Sequence, residues 1–189
     1  MFALPLTDTA ELRPLEPWQA EEFAESIDSA RAHLSPWLPW PALITDVGSA
    51  RRWLRDYADK QARDEGRIYG IWADGRLVGG LVFRTFDVAS GVCEIGAWTV
   101  PEGEGRGLVH RGARELIDWA FRVRGMSRVE WRTVTANVRS TAAARRLGMT
   151  RDGTLRQVHA QDGRRHDVEV WSLLADEWTA AAAQERGAA

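Results

Sequence analysis

Apolar and polar positions along this chain switch between two periods. From Thr9 to Leu15 they alternate, which predicts a first strand, and Pro17 then stands where a helix can begin. Next, Phe23, Ala24 and Ile27 form one face while Glu21, Glu22, Glu25 and Asp28 form the other, the pattern of a helix. A second helix is predicted from Val47 to Arg63, burying Trp53, Leu54, Tyr57 and Ala58. Ile68–Ala73 and Arg76–Phe86 flank Asp74-Gly75, a hairpin signal, and Val92–Thr99 reads as another strand. After it, Val109, Ala113, Leu116, Ile117, Ala120 and Phe121 share one helical face; Arg111, Arg114, Glu115, Asp118 and Arg122 share the opposite one. Arg128–Thr135 alternates again. Asn137–Leu147 reads as a short helix closed by Gly148, which suits a residue just past a helix end. Met149–Ala160 and Arg164–Leu174 are two strands around the turn Gln161-Asp162-Gly163, and Asp176–Ala183 is a polar last helix.

The predicted order is β-α-α-β-β-β-α-β-α-β-β. Helices alternate with strands only in its middle, so an α/β fold with a mixed sheet is expected rather than a parallel doubly wound one. No linker, internal repeat or low-complexity tract interrupts the 189 residues, so one domain over 1–189 is expected. The apolar fraction of 44% and charged fraction of 28% are those of a soluble globular protein. A net charge of −2 predicts no general attraction to nucleic acid or an anionic membrane. Cys93 is the only cysteine, so no intrachain disulfide can form and a reducing compartment is expected. No run is apolar enough to span a bilayer, and Met1–Thr9 lacks the basic and apolar regions of a secretory signal. These readings place the protein in the cytoplasm, and no metal-ligand spacing stands out.

The stretch from Val100 to Phe121 carries the clearest chemistry. Its order is strand, glycine-rich turn, helix start. Gly103, Gly105 and Gly107 let the backbone turn sharply and approach a ligand. The first amides of a helix have no internal partner and carry the positive end of its dipole. Together these features suit an anion, most simply a phosphate; an ordinary strand-to-helix loop is the other reading. No Gly-Lys-Ser/Thr closes the turn, as a nucleoside-triphosphate loop requires, and Gly112 comes too late for a dinucleotide fingerprint. A second marked stretch is His33-Leu34-Ser35-Pro36-Trp37-Leu38-Pro39-Trp40-Pro41, whose prolines rule out a regular helix. Trp37 and Trp40 in this rigid loop are either a core plug or the wall of a substrate cleft.

Several motifs in series resemble the GNAT superfamily of acyl-CoA N-acyltransferases, and within it the Rim-type branch that includes ribosomal-protein N-terminal acetyltransferases. They are Leu38-Pro39-Trp40-Pro41, Glu94-Ile95-Gly96-Ala97-Trp98, Glu102-Gly103-Glu104-Gly105-Arg106-Gly107, Asn137-Val138-Arg139-Ser140, Arg146-Leu147-Gly148-Met149, Asp152-Gly153-Thr154-Leu155-Arg156 and His166-Asp167-Val168. Glu102 stands where the superfamily usually has Gln or Arg, and His110-Arg111-Gly112 replaces a common Thr-Glu-Ala. The resemblance implies a GNAT-like mixed, splayed central sheet flanked by helices, with acetyl-CoA as co-substrate. It implies that the amides of Gly103, Gly105, Arg106, Gly107 and Leu108 hold the pyrophosphate, that the strand edge from Ile95 to Val100 pairs with the pantetheine amides, and that Asn137 bonds the pantetheine arm. It gives Ser140 the role of donor to the leaving thiolate. Trp37, Trp40 and Asp167 would contact the acceptor, a turn or hairpin role being the other reading of Asp167.

Acyl transfer to an amine needs a proton acceptor for the amine and a donor for the thioester oxygen. A backbone amide near Thr99 or Val100 is expected to serve the oxygen. In the branch a Glu can occupy a position ahead of the hairpin turn; here His159 stands there, and Glu94 on the preceding strand is the rival base. The expected activity is acetyl-CoA-dependent N-acetylation of a primary amine, at a protein N-terminus or on a small molecule, by direct transfer in a ternary complex. A non-catalytic acyl-CoA-binding sensor or assembly module on the same fold is the alternative. A homodimer is compatible with either.

Overall fold

The computed structural model describes residues 3–161 and 163–187. Asp162, placed by the sequence in the turn before Gly163, lies outside them. In chain order the elements are β1 (Leu4–Thr7), β2 (Ala10–Pro14), α1 (Ala20–Leu34), α2 (Val47–Ala62), β3 (Arg67–Ala73), β4 (Arg76–Asp87), β5 (Val92–Thr99), α3 (Leu108–Arg122), β6 (Arg128–Val134), α4 (Val138–Arg146), β7 (Thr150–Gln161), β8 (Arg164–Leu174) and α5 (Ala175–Gly187). Short 3-10 turns cover Pro17–Gln19, Trp40–Leu43 and Pro101–Gly103. The chain divides into two compact units, residues 1–85 with 96–113 and residues 86–95 with 114–189.

In the first unit the strand order is β1-β2-β3-β4, followed by the outer part of β5. β1 is a strand that the alternation did not predict. It has four residues, includes Pro5, and pairs antiparallel with β2 through Leu4 and Leu12. An edge strand needs pairing on one side only, which is where proline is tolerated, and so short a strand leaves little period to read. The β3–β4 hairpin turns at Asp74-Gly75 as expected, with both residues at positive φ, 51° and 76°. That backbone matches the twist of the two strands it joins. Helix α2 begins where the Asp46 carboxylate accepts the Ser49 amide while the Ser49 hydroxyl accepts the Asp46 amide. Leu12, Phe23, Ile27, Leu54, Ile71, Leu81 and Phe83 fill the core. Burial of each such side chain favours folding by about 1.5–3 kcal/mol.

In the second unit the order is β5-β6-β8-β7. β5 and β6 are parallel, whereas β6–β8 and β7–β8 are antiparallel, so the sheet is mixed, as the element order predicts. The β5–β6 register joins Val92, Cys93 and Glu94 to Arg128, Val129 and Glu130, while β5 itself continues to Thr99. Burial along β5 alternates at Cys93 and Ile95, then slips by one to Trp98 and Val100. The slip falls at Gly96-Ala97, where the chain passes between the units. Later in the unit, β7 bulges opposite Asp167, between the pairs Leu155↔Val168 and His159↔His166.

Candidate active site

Strand β5 delivers the chain into the glycine turn. The Val100 amide donates to Val78 O at 3.0 Å, and the Gly103 amide donates to Val100 O at 3.0 Å. Gly103 is buried, and a Cβ on it would lie 2.5 Å from Val78 O. The Val100 amide is thus bonded to β4, and Gly103 is glycine because β4 presses on it, with its amide turned into the 3-10 turn. Gly105 and Gly107 differ. They hold φ of 70° and 71°, and a Cβ on either would meet no atom within 4 Å. Their identity follows from the left-handed backbone, not from crowding. The first intrahelical bond of α3 runs from Arg111 N to Gly107 O at 3.0 Å, so Gly107 is the helix cap and the amides just beyond it have no intrahelical acceptor. Leu108 anchors this helix start in the core.

Two side-chain contacts brace the turn. Arg106 Nη2 lies 3.1 Å from Asp74 Oδ2 in the β3–β4 turn, and Glu104 Oε1 lies 3.1 Å from His33 Nε2 at the end of α1. Arg106 thus already has a carboxylate partner, while Glu102 is exposed at the start of the 3-10 turn.

The two loop tryptophans separate. Trp40 is half-buried; it stacks on Phe23 and Trp53 at 6.0 and 5.5 Å and meets Trp98 edge-on at 5.7 Å. Trp37 is on the surface, 36% exposed. The Arg31 guanidinium fixes this loop by donating to the carbonyls of Pro41 and Ile44. Of the two roles that the sequence left open, the core plug describes Trp40.

In the second unit, Asn137 and Ser140 meet at the start of α4. Asn137 Oδ1 accepts the Ser140 amide at 3.1 Å, which makes Asn137 the helix cap. Ser140 Oγ accepts the indole N–H of Trp131 at 2.9 Å. Beside it, Thr141 donates to Glu169, which also accepts from the Trp171 indole and Arg151. Trp131 and Trp171 are directly opposed on β6 and β8, so both indoles rise from one face of the strand pair. Burial pushes the Glu169 carboxyl up, but the bonds from Trp171, Arg151 and Thr141 together hold it below its ordinary value.

The remaining candidates have distinct settings. Glu94 is 12% exposed, opposite Glu130 in the parallel register, with Arg132 Nε 3.7 Å away. His159 is half-buried on β7, its Nε2 2.9 Å from Gln161 Oε1 and its ring 6.3 Å from that of His166. An amide oxygen at Nε2 selects the tautomer protonated there, which leaves Nδ1 as the basic nitrogen. Asp167 Oδ1 accepts the Gln157 amide at 2.8 Å, and Gln157 has a φ of 51°. Asp167 therefore holds the β7 bulge that precedes His159. The Cys93 thiol is buried and pushed up to about 12, first by burial and then by the Glu130 charge. No group of His, Cys, Asp or Glu suited to a metal ion occurs among the described residues.

Residues 10–150 match the family model of the acetyltransferase (GNAT) domain. The chain belongs to the GNAT acetyltransferase family. It is 31% identical over 183 residues to a Bacillus subtilis (strain 168) protein named "Putative ribosomal N-acetyltransferase YdaF", covering 94% of this chain and 98% of that one. It is 19% identical over 173 residues to the ribosomal-protein-serine acetyltransferase of Escherichia coli (strain K12), covering 92% and 97% of the two. Among solved structures, RimL, a ribosomal L7/L12 alpha-N-protein acetyltransferase in complex with coenzyme A, superposes with a TM-score of 0.88 at 23% identity, covering 93% of this chain and 99% of that one. At that identity the likeness concerns the fold.

Within this GNAT domain the sequence reading missed Trp131, Glu169 and Arg31. Ten tryptophans make any one of them look like core, and nothing in the spacing of Trp131 and Ser140 announces that they touch. A buried-side tryptophan on the strand leading to the Asn137–Ser140 helix was the available signal.

Proposed function

We propose that this GNAT acetyltransferase moves the acetyl group of acetyl-CoA to the α-amine of a protein N-terminus, by direct transfer in a ternary complex. The observation that carries the cofactor reading is the left-handed pair Gly105 and Gly107 at the cap of α3, which presents helix-start amides as an anion site requires. In this reading the amides of Gly105 to Leu108 take the pyrophosphate, and Arg106 adds its charge on leaving Asp74. Asn137 bonds the pantetheine arm. The amine loses its proton to His159 Nδ1 and its nitrogen attacks the thioester carbon. The C–S bond breaks with its electron pair going to sulfur, to which the Ser140 hydroxyl donates a hydrogen bond. Trp37, at the surface, is assigned to the acceptor, and Asp167 acts through the bulge that orients His159. The inert Cys93 thiol supports direct transfer over an acyl-cysteine relay.

The acceptor class rests on the 31% identity to YdaF over nearly the whole of both chains. A single buried cysteine and the dependence on acetyl-CoA suit the cytoplasm. The test is thiol release from acetyl-CoA in the presence of a panel of peptides with free N-termini and a panel of small amines. Turnover with peptides, lost when their N-termini are blocked, is the expected result. Turnover with small amines alone overturns the acceptor class. Tight acetyl-CoA binding without any thiol release favours the non-catalytic module.

A further inference from the structure

The start of α4 is fastened to the sheet by backbone, through the Asn137 amide on Val134 O at 2.8 Å, and also by side chains. Two neighbouring residues, Ser140 and Thr141, meet polar tips that rise from β6 and β8: the Trp131 indole, and Glu169 with its bound Trp171 indole. The two contacts differ in one chemical respect. Thr141 donates to a carboxylate. Ser140 faces an indole N–H, which donates and has no lone pair to accept with. The direction of the Trp131–Ser140 bond is thus fixed by chemistry: Ser140 Oγ accepts, and the serine's own proton is directed to some other acceptor.

We propose that Trp131 is a positioning residue that holds Ser140 in donor orientation for the leaving sulfur. The inference rests on the assignment of Ser140 to the thiolate. Asn137 Oδ1 holds the Ser140 amide and Trp131 holds its Oγ, so the side chain is fixed at both ends. Trp131 is itself 4% exposed, opposite Trp171, and has no room to swing away. An N–H donated into a hydroxyl oxygen polarises it and strengthens the bond that its proton makes next. This help grows as charge develops on sulfur, so it belongs to the transition state more than to the bound acetyl-CoA.

The test is a double-mutant cycle of Trp131→Phe and Ser140→Ala. Phenylalanine keeps an aromatic ring on the face shared with Trp171 and deletes the donor together with part of the ring volume. Trp131→Phe alone should lower kcat by about 3–10-fold, the size of one neutral hydrogen bond, with KM for acetyl-CoA changed less than about twofold. In the Ser140→Ala background the same substitution should change kcat by less than about 1.5-fold. An equal loss in both backgrounds, or a loss in KM alone, overturns the positioning role. If Ser140→Ala lowers kcat and Trp131→Phe does not, the inference falls while Ser140 keeps its assignment. If Ser140→Ala leaves kcat intact, the assignment of Ser140 falls, and the inference with it. Should Trp131→Phe fail to fold, the indole signal of Trp131 in 1H–15N spectra of wild type and Ser140→Ala decides. A shifted, faster-exchanging indole proton in the alanine variant supports the bond, and an unchanged signal overturns it.

Discussion

His33 Nε2 lies 3.1 Å from Glu104 Oε1, tying the C-terminal end of α1 to the glycine turn ahead of α3. In the proposed reading Glu104 is a carboxylate in the loop that receives a pyrophosphate, and the His33 imidazole is the group that engages it. Both side chains are about one-third exposed, so the pair is screened and its effect is modest. His33→Ala should weaken acetyl-CoA binding by about 2–5-fold, and Glu104→Gln should leave binding equal or tighter. In the Glu104→Gln background the loss on removing His33 should disappear. Calorimetric titration of the four proteins checks this; a His33→Ala loss that persists without the carboxylate would show that His33 acts on something else.

Gly105 and Gly107 are left-handed, at φ of 70° and 71°. Adding a side chain at either strains the backbone by about 1–2 kcal/mol even though space is open around it. Gly105→Ala and Gly107→Ala should each lower the urea midpoint of unfolding and weaken acetyl-CoA binding in the molecules that remain folded. Gly153 has no neighbour within 4 Å of its would-be Cβ and no positive φ, so Gly153→Ala is the control and should change binding little. Unchanged affinity in both loop variants would sink the pyrophosphate assignment.

His159 is proposed to accept the amine's proton at Nδ1 while Gln161 holds Nε2. His159→Ala should lower kcat/KM by about 10²-fold or more, as expected on removing a positioned base. His159→Glu should retain more activity than alanine, because a carboxylate also accepts a proton. Steady-state kinetics with an acceptor peptide decides it. An alanine variant at the wild-type rate would remove His159 from the chemistry.

Acid should loosen the second unit through two carboxyls. At both, burial pushes the value up but is outweighed. Trp171, Arg151 and Thr141 hold Glu169 below its ordinary value; Arg128 and Ser172 do the same for Asp152. A folded value below the unfolded one means that the unfolded chain binds more protons between the two. The added stability is therefore complete above the unfolded carboxyl values of about 4 and is lost as pH falls through the folded ones. Urea midpoints from about pH 6 to about pH 2.5 should drop below about pH 4, with a shallower fall for Glu169→Gln. An identical slope in that variant would show that Glu169 does not contribute to the acid limb.

Much of this molecule follows from local rules. Asp74-Gly75 marks a hairpin because that turn needs two left-handed residues, and β5 and β8 fall where the alternation puts them. The helix start after Gly107 is legible because three glycines interrupt two clear periods. Asn137 is readable as the polar residue heading a helix, although its capping bond to Ser140 is a detail of geometry. The family, too, is written in short motifs whose order survives without any knowledge of packing.

Tertiary structure decided what the side chains do, because hydrogen bonds and steric pressure arise between residues far apart in the chain. Gly103 and Gly105 look alike in sequence, yet β4 presses on one and the backbone's handedness requires the other. Glu94 stands alone in the sequence, and only the strand order brings Arg132 to it. Asp167 and Gln157 lie ten positions apart, and only the β7 bulge brings the carboxylate of one to the amide of the other. Trp131 looks like core until strand register and the orientation of α4 bring its N–H to Ser140. Periodicity tells which side of an element a residue faces; only the packing of one element on another tells what it meets there.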